Sequence, residues 1–250
     1  MVRQFPYHFH DNLQLTDYDA LLFDLNDYKR LGGGTICEVS TVGLGRDPAF
    51  CARLSKASNV NVIMGTGYYV DKAQSDATRN ETVEHMAKFM ASELRNGFVE
   101  TPGLHYPGLI GEMGCTWPLT QWERRHLQSA ASLHETGGGG LEMVPISIHP
   151  GRDNKAPAEI MRILLEAGAR QSKVIMGHLD RTIHEVDELA EFGDEFKQVV
   201  FEFDLFGIEN SHYQMAPVFM PNDGERLRRI KVVILYEVEL INLHDTVVTD

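Results

Sequence analysis

The sequence predicts an α/β fold of parallel strands, each followed by a covering helix. Three observations carry this. Six short apolar runs alternate with helical patterns along the chain. The runs are near-continuous in apolar character rather than strictly alternating, as strands covered by helices require. The 250 residues also suit one sizeable core, since chains of about 200 to 250 residues commonly form a single α/β barrel domain. The residues alone leave two architectures open, a (β/α) barrel and an open doubly wound sheet. No shift in composition marks a second domain.

The elements follow in order. TICEV at 35 to 39 reads as a strand, preceded by a helix and followed by the helix PAFCARLSKAS at 48 to 58. VNVIMGTGYY at 60 to 69 is the next strand. The helix after it carries Val83, Met86, Phe89, Met90 and Leu94 at helical spacing and stops at Gly97. GLIGEMG at 108 to 114 is a strand. Thr120 then caps a helix with Glu123 three residues on, a capping box. VPISIHPG at 144 to 151 precedes the helix APAEIMRILLEAG, which ends on Gly168. KVIMGHL, IHEVDELAEFG and QVVFEFDLFG repeat the strand–helix–strand order, and a last helical stretch starts near Asp223. The runs GGG at 32 to 34 and GGGG at 137 to 140 read as helix stops and flexible loops. Neither has the GxGxxG context, and no GK[ST] motif occurs, so nucleotide binding through those loops is not expected.

Bulk composition narrows the function classes. Hydrophobic residues make up 43% and charged residues 24%, as in ordinary soluble globular proteins. The net charge of −13 argues against nucleic acid or an anionic membrane as partner, since both need a basic face. Cys37, Cys51 and Cys115 are odd in number and form no CxxC pair, which fits a reducing compartment. The N-terminal residues lack an apolar segment of leader type, and no run approaches the roughly 18 residues of a membrane span. A cytoplasmic protein acting on a small molecule is expected; the oligomeric state is not legible.

Three strand ends carry the chemistry. Glu112 lies late in its strand, and His149 and His178 each end theirs. A lone histidine at a strand end is ordinarily a hydrogen-bonded structural residue. Here, however, the three strands are consecutive, and parallel strands of a barrel open their C-terminal ends onto one face. One carboxylate and two imidazoles meeting there is the ligand chemistry of zinc and similar divalent cations.

These residues also carry a resemblance. The stretches GGGTICEVSTVGLGRD, GTGYYVD, GLIGEMGCTWPLT, ISIHPGR, APAEIMRILLEAGA, GHLDRTI, FEFDLFG and DGERLRRI resemble the phosphotriesterase-related branch of the amidohydrolase superfamily, across most of the chain. The resemblance implies a (β/α)8 TIM-type barrel as one domain over residues 1 to 250, with a centre of two divalent metal cations, zinc being the expected metal, and a reduced site of one cation as the alternative. It makes Glu112 the bridging ligand and His149 and His178 the ligands of one metal. It implies hydrolysis of a small amide or ester, and less readily of a phosphoester, by a water deprotonated at the cations.

The ends depart from the family pattern. The family's first metal also needs an HxH after the first strand and an Asp ending the eighth, the latter serving as proton acceptor. Only eleven residues precede Asn12, so the barrel is expected to be incomplete, with its first strand and last helix missing or altered. His8 and His10 share a face if extended, and His244–Asp245 ends an apolar run, so His8, His10 and Asp245 could replace the missing ligands; a solvated terminus is the favoured reading of His8 and His10, and the residues around Asp245 match the family poorly. A barrel short of a strand exposes two edges and a slot into its core. A catalytically inactive remnant serving as a scaffold is therefore the alternative, and no catalytic residue beyond the ligands is assigned. Arg152, Asp180 and Arg181 lie on loops over the expected site, where they could hold an anionic substrate, support the ligands or cap loops. Tyr68 and Tyr69 could line the pocket or pack in the core. Trp117 and Trp122 are expected to pack loop and helix, and Cys115 has no visible base partner.

Overall fold

The computed structural model describes residues 16–207 and 221–238. The strands are β1 (Thr35–Glu38), β2 (Asn61–Thr66), β3 (Leu109–Gly114), β4 (Ile146–His149), β5 (Val174–Met176) and β6 (Val200–Phe201). They form one sheet in the order β1-β2-β3-β4-β5-β6, and every pair is parallel. The helices are α1 (Tyr18–Arg30), α2 (Pro48–Ser58), α3 (Asp76–Arg79), α4 (Val83–Asn96), α5 (Gln121–Thr136), α6 (Ala156–Glu166), α7 (Leu179–Thr182), α8 (Val186–Glu195) and α9 (Asp223–Val238). The expected alternation is present. The one-turn helices α3 and α7 are additions the hydrophobic periodicity did not predict, because a single turn is too short to show a period.

Helix starts follow their capping residues. Asp47, Thr82 and Thr120 each accept a backbone N–H three residues on, and Thr120 with Glu123 forms the expected capping box. Each such cap contributes about 1 kcal/mol. Ile110, Ile146, Ile148, Val174 and Met176 of the strands pack in one cluster with Met86, Met90, Leu127, Ile160, Met161 and Leu164 of the helices. Each fully buried side chain of this kind contributes about 1.5–3 kcal/mol.

The sheet curls. Glu112 N–H of β3 donates to Val39 O just past β1 at 3.2 Å, skipping β2. Cys37 of β1 lies close enough to Glu202, just past β6, for that carboxylate to raise the thiol's pKa after burial has done so. Among the described residues, β1 and β6 each pair on one side only. Ile63 and Val200 are exposed near those edges. The described residues thus form a curled, barrel-like sheet of six parallel strands.

Two buried ionic networks tie distant elements together. Arg46, in the loop after β1, pairs with Glu93 and with Glu100, while Thr66 donates to Glu93 at 2.5 Å. Arg226 of α9 pairs with Asp180 of α7 at 2.7 Å, both side chains fully buried. No helix among the described residues is long and apolar enough to cross a membrane.

Candidate metal centre

Three neighbouring strands deliver the three predicted residues to one point. Glu112 lies within β3, and His149 is the last residue of β4. His178 differs from the expectation. β5 stops at Met176, so His178 lies two residues beyond the strand, in the left-handed conformation at φ 53°. A non-glycine residue held there costs about 1–3 kcal/mol. The turn is secured by its own successors: Arg181 N–H donates to His178 O at 3.1 Å and the Thr182 hydroxyl donates to it at 2.7 Å.

Glycine precedes two of the three. A Cβ on Gly111 would meet Ser147 O at 2.3 Å, and one on Gly177 would meet Ile148 O at 2.6 Å. Only glycine lets the backbone approach β4 this closely from either side, just before Glu112 and His178.

The donor atoms converge. His149 Nδ1 is 3.0 Å from Glu112 Oε2, and His178 Nε2 is 3.0 Å from Glu112 Oε1. The two ring nitrogens are 2.8 Å apart. One ligand atom from each residue lies within 4.8 Å of the others, close enough to share one cation. All three side chains are largely buried.

The outer atoms decide whether the set suits a cation. His178 Nδ1 is 2.6 Å from Asp204 Oδ2. A carboxylate at that distance favours the ring proton on Nδ1 by its charge, so that Nε2 is the nitrogen left to bind a cation. On the other ring, His149 Nε2 is 3.3 Å from both the Tyr69 hydroxyl and Arg181 Nη2. One carboxylate and two imidazoles so arranged could hold a divalent cation.

The electrostatics follow from the same contacts. Burial opposes ionisation of Glu112, but hydrogen bonds from His149 and His178 outweigh it and lower its pKa to about 2. Burial likewise disfavours charge on His178, yet Asp204 and Glu112 raise it to about 9. Burial lowers His149, against the pull of Glu112. Glu202 is raised by burial and then by repulsion from Asp204.

The other predicted residues divide. Tyr69 joins the site, whereas Tyr68 is buried and its hydroxyl donates to Glu81 at 3.0 Å. Arg181 sits against His149, while Asp180 is turned to Arg226 and to Leu205 N–H. Arg152 is partly buried on the loop after β4. Trp122 packs on His126 as expected of a helix residue, and Trp117 packs against the core cluster. Cys115 does have an imidazole neighbour, His126 Nε2 at 3.9 Å. Burial raises that thiol well above its usual range and lowers His126 to about 3, so the pair is not poised for nucleophilic work. His8, His10 and Asp245 lie outside the described residues.

Sequence reasoning missed Asp204 and Glu202. Their signal is visible in FEFD: two acidic residues at i and i+2, on one face of a strand end, in a chain whose other strand ends already carry metal-ligating residue types.

Comparison with known proteins agrees with this architecture. The family model for the phosphotriesterase family matches residues 1–239. N-acetyltaurine hydrolase of Salmo salar is 41% identical over 248 residues, covering 98% of this chain and 68% of that protein. The Homo sapiens protein of the same name is 40% identical, covering 93% of this chain and 65% of its own length. The chain thus spans about two thirds of the length of these relatives. Among solved structures, a resiniferatoxin-binding protein from Rhodobacter sphaeroides superposes with a TM-score of 0.83 at 24% identity, over 94% of this chain and 63% of that one. The phosphotriesterase homology protein from Escherichia coli gives 0.75 at 24% identity, over 90% and 71%. These structural likenesses show the fold, and the family match together with the 40% relatives shows the lineage: the chain belongs to the phosphotriesterase family.

Proposed function

We propose that this chain is a divalent-metal-dependent hydrolase of a small amide, with Glu112, His149 and His178 as metal ligands and zinc as the cation. The observation that carries the reading is the approach of one carboxylate oxygen and two imidazole nitrogens within 4.8 Å at the ends of adjacent strands. Three protein ligands with an open fourth position is a catalytic arrangement for zinc. When bound, such a cation polarises a substrate carbonyl and lowers the pKa of a water from near 16 to about 7.

The chain's own residues have separable tasks. Glu112 supplies the negative charge at the centre, between the two imidazoles. Asp204 orients His178 by holding Nδ1–H. Tyr69 and Arg181 border the His149 ring. Water adds to the amide carbon, the C–N bond breaks, and a proton ends on the departing amine.

The substrate we carry over from the relatives is N-acetyltaurine, an acetamide whose amine bears a sulfonate two methylenes away. We further propose a single cytoplasmic domain. Purified protein supplied with zinc is expected to release acetate and taurine from N-acetyltaurine, read by proton NMR. Metal-loaded, folded protein with no turnover of this or of simple esters would overturn the enzyme reading. The competing reading is a non-catalytic scaffold, which the one-sided pairing of β1 and β6 among the described residues favours.

A further inference from the structure

We propose that Asp180 and Arg226 are positioning residues for the metal centre: together they hold His178 against Asp204 and so aim the ring nitrogen that binds the cation. This deepens the hydrolase reading above and rests on it for the metal.

Two stretches of chain are joined at and beyond the ends of β5 and β6. Glu202 N–H donates to Met176 O at 3.0 Å, and Leu179 N–H donates to Glu202 O at 3.1 Å. Both are backbone bonds. The third link depends on a side chain: Leu205 N–H donates to Asp180 Oδ2 at 3.2 Å. His178 lies between Met176 and Leu179 on one stretch, and Asp204 lies between Glu202 and Leu205 on the other. The 2.6 Å contact of His178 Nδ1 with Asp204 Oδ2 is therefore bracketed by these bonds, and Asp180 closes the outer bracket.

Arg226 fixes the Asp180 carboxylate. Its Nε donates to the same Oδ2 at 2.7 Å, and its Nη1 donates to Asp223 Oδ1 at 2.9 Å. Asp223 in turn accepts Gly207 N–H at 3.1 Å and 3.0 Å through its two oxygens. The first turn of α9 thus secures the chain just past Asp204 at Leu205, through Asp180, and at Gly207, through Asp223. Neither Asp180 nor Arg226 has any exposed side chain.

Such burial tells against a role in stability alone. Desolvating two charges offsets most of their attraction, and a well-packed apolar pair of similar volume is often as stable. An ionic pair supplies direction that an apolar pair lacks. Here one oxygen is held by both Arg226 Nε and Leu205 N–H. Direction matters at a histidine ligand, because its outer partner sets the ring orientation that the cation meets. Arg46 is buried as deeply, but its ion pairs run to Glu93 in α4 and Glu100 in the loop after it.

The test measures zinc affinity by competition with a chromogenic chelator, and stability by urea unfolding, in the full chain. The variants are Asp180→Leu/Arg226→Met, Arg226→Lys and, as a matched control, Arg46→Lys. The double variant is expected to bind zinc about 10-fold or more weakly while folded, as on loss of a ligand's outer partner. Added to Asp204→Asn, the same two substitutions should cost at most about 2-fold further, because the contact they position is already gone. Arg226→Lys keeps the charge without the fork and is expected to lose less, about 3-fold or more. Arg46→Lys should lower the urea midpoint and leave zinc affinity within about 2-fold of wild type. Wild-type affinity in the folded double variant, full additivity with Asp204→Asn, or an equal loss in Arg46→Lys overturns the inference and leaves the metal reading standing. If the double variant does not fold, Arg226→Lys decides, and wild-type affinity there overturns the inference. Folded wild type that binds no zinc overturns the metal reading and this inference with it.

Discussion

His178 bridges two carboxylates through its two ring nitrogens: Nδ1 lies 2.6 Å from Asp204 Oδ2 and Nε2 lies 3.0 Å from Glu112 Oε1. The first contact favours a proton on Nδ1, and the second holds Nε2 at the cluster, where a cation would take the place of the proton shared with Glu112. Asp204→Asn keeps the shape but can present an N–H to Nδ1, which would free the wrong nitrogen. Loss of such an outer partner typically weakens metal binding 10- to 100-fold. Competition with a chromogenic chelator is expected to show a loss of about that size, and an unchanged affinity would deny Asp204 this role.

The same contacts predict a pH dependence of stability for chelator-treated protein. The folded His178 pKa is raised to about 9 from 6.5, so its contribution is full below 6.5 and lost as pH rises through 9. The folded Glu112 pKa is lowered to about 2 from 4.5, so its contribution is present above 4.5 and lost as pH falls through 2. Urea unfolding is expected to show stability falling between pH 6.5 and 9 by an amount of order 1–3 kcal/mol. His178→Ala should flatten that slope; a slope unchanged in the variant would assign it elsewhere.

The Asp180–Arg226 pair anchors α9 to α7 with no exposed side chain on either partner. Removing one partner leaves a buried charge alone, at a cost of about 3–5 kcal/mol. Arg226→Met should therefore lower the urea midpoint sharply. The double variant Asp180→Leu/Arg226→Met should be less destabilised than Arg226→Met alone. A double variant worse than that single one would contradict the pairing argument.

Thiol labelling should report burial. Cys37 is exposed, Cys51 half-buried and Cys115 buried. Burial raises the pKa of Cys51 to about 11 and holds that of Cys115 well above the usual thiol range. Native protein is expected to label at Cys37 first and at Cys115 only with unfolding. Rapid native labelling of Cys115 would reverse the conclusion that His126 does not activate it.

Much of this was legible in the sequence because it is local or periodic. The parallel strands showed as short apolar runs, and the α5 start showed in Thr120 and Glu123. Glu112, His149 and His178 were legible because three successive strand ends each carried a ligand type. What escaped depends on contacts between distant segments. The Arg46–Glu93–Glu100 network joins a loop to a helix across more than forty residues of sequence, and no spacing rule marks it. Asp180 and Arg181 are adjacent in sequence, yet one is turned to α9 and the other to His149; the choice is made by the tertiary position of α7. The left-handed turn at His178 was likewise invisible, because a positive φ at a non-glycine residue leaves no mark in composition or spacing.

The central claim is that Glu112, His149 and His178 together hold a divalent cation. Elemental analysis of purified protein, wild type beside Glu112→Ala, His149→Ala and His178→Ala, addresses it most directly. The account predicts at least one equivalent of a divalent metal, zinc foremost, in folded wild type and its loss in each variant. Folded wild type without metal after zinc supplementation, or variants that keep the wild-type content, would contradict it.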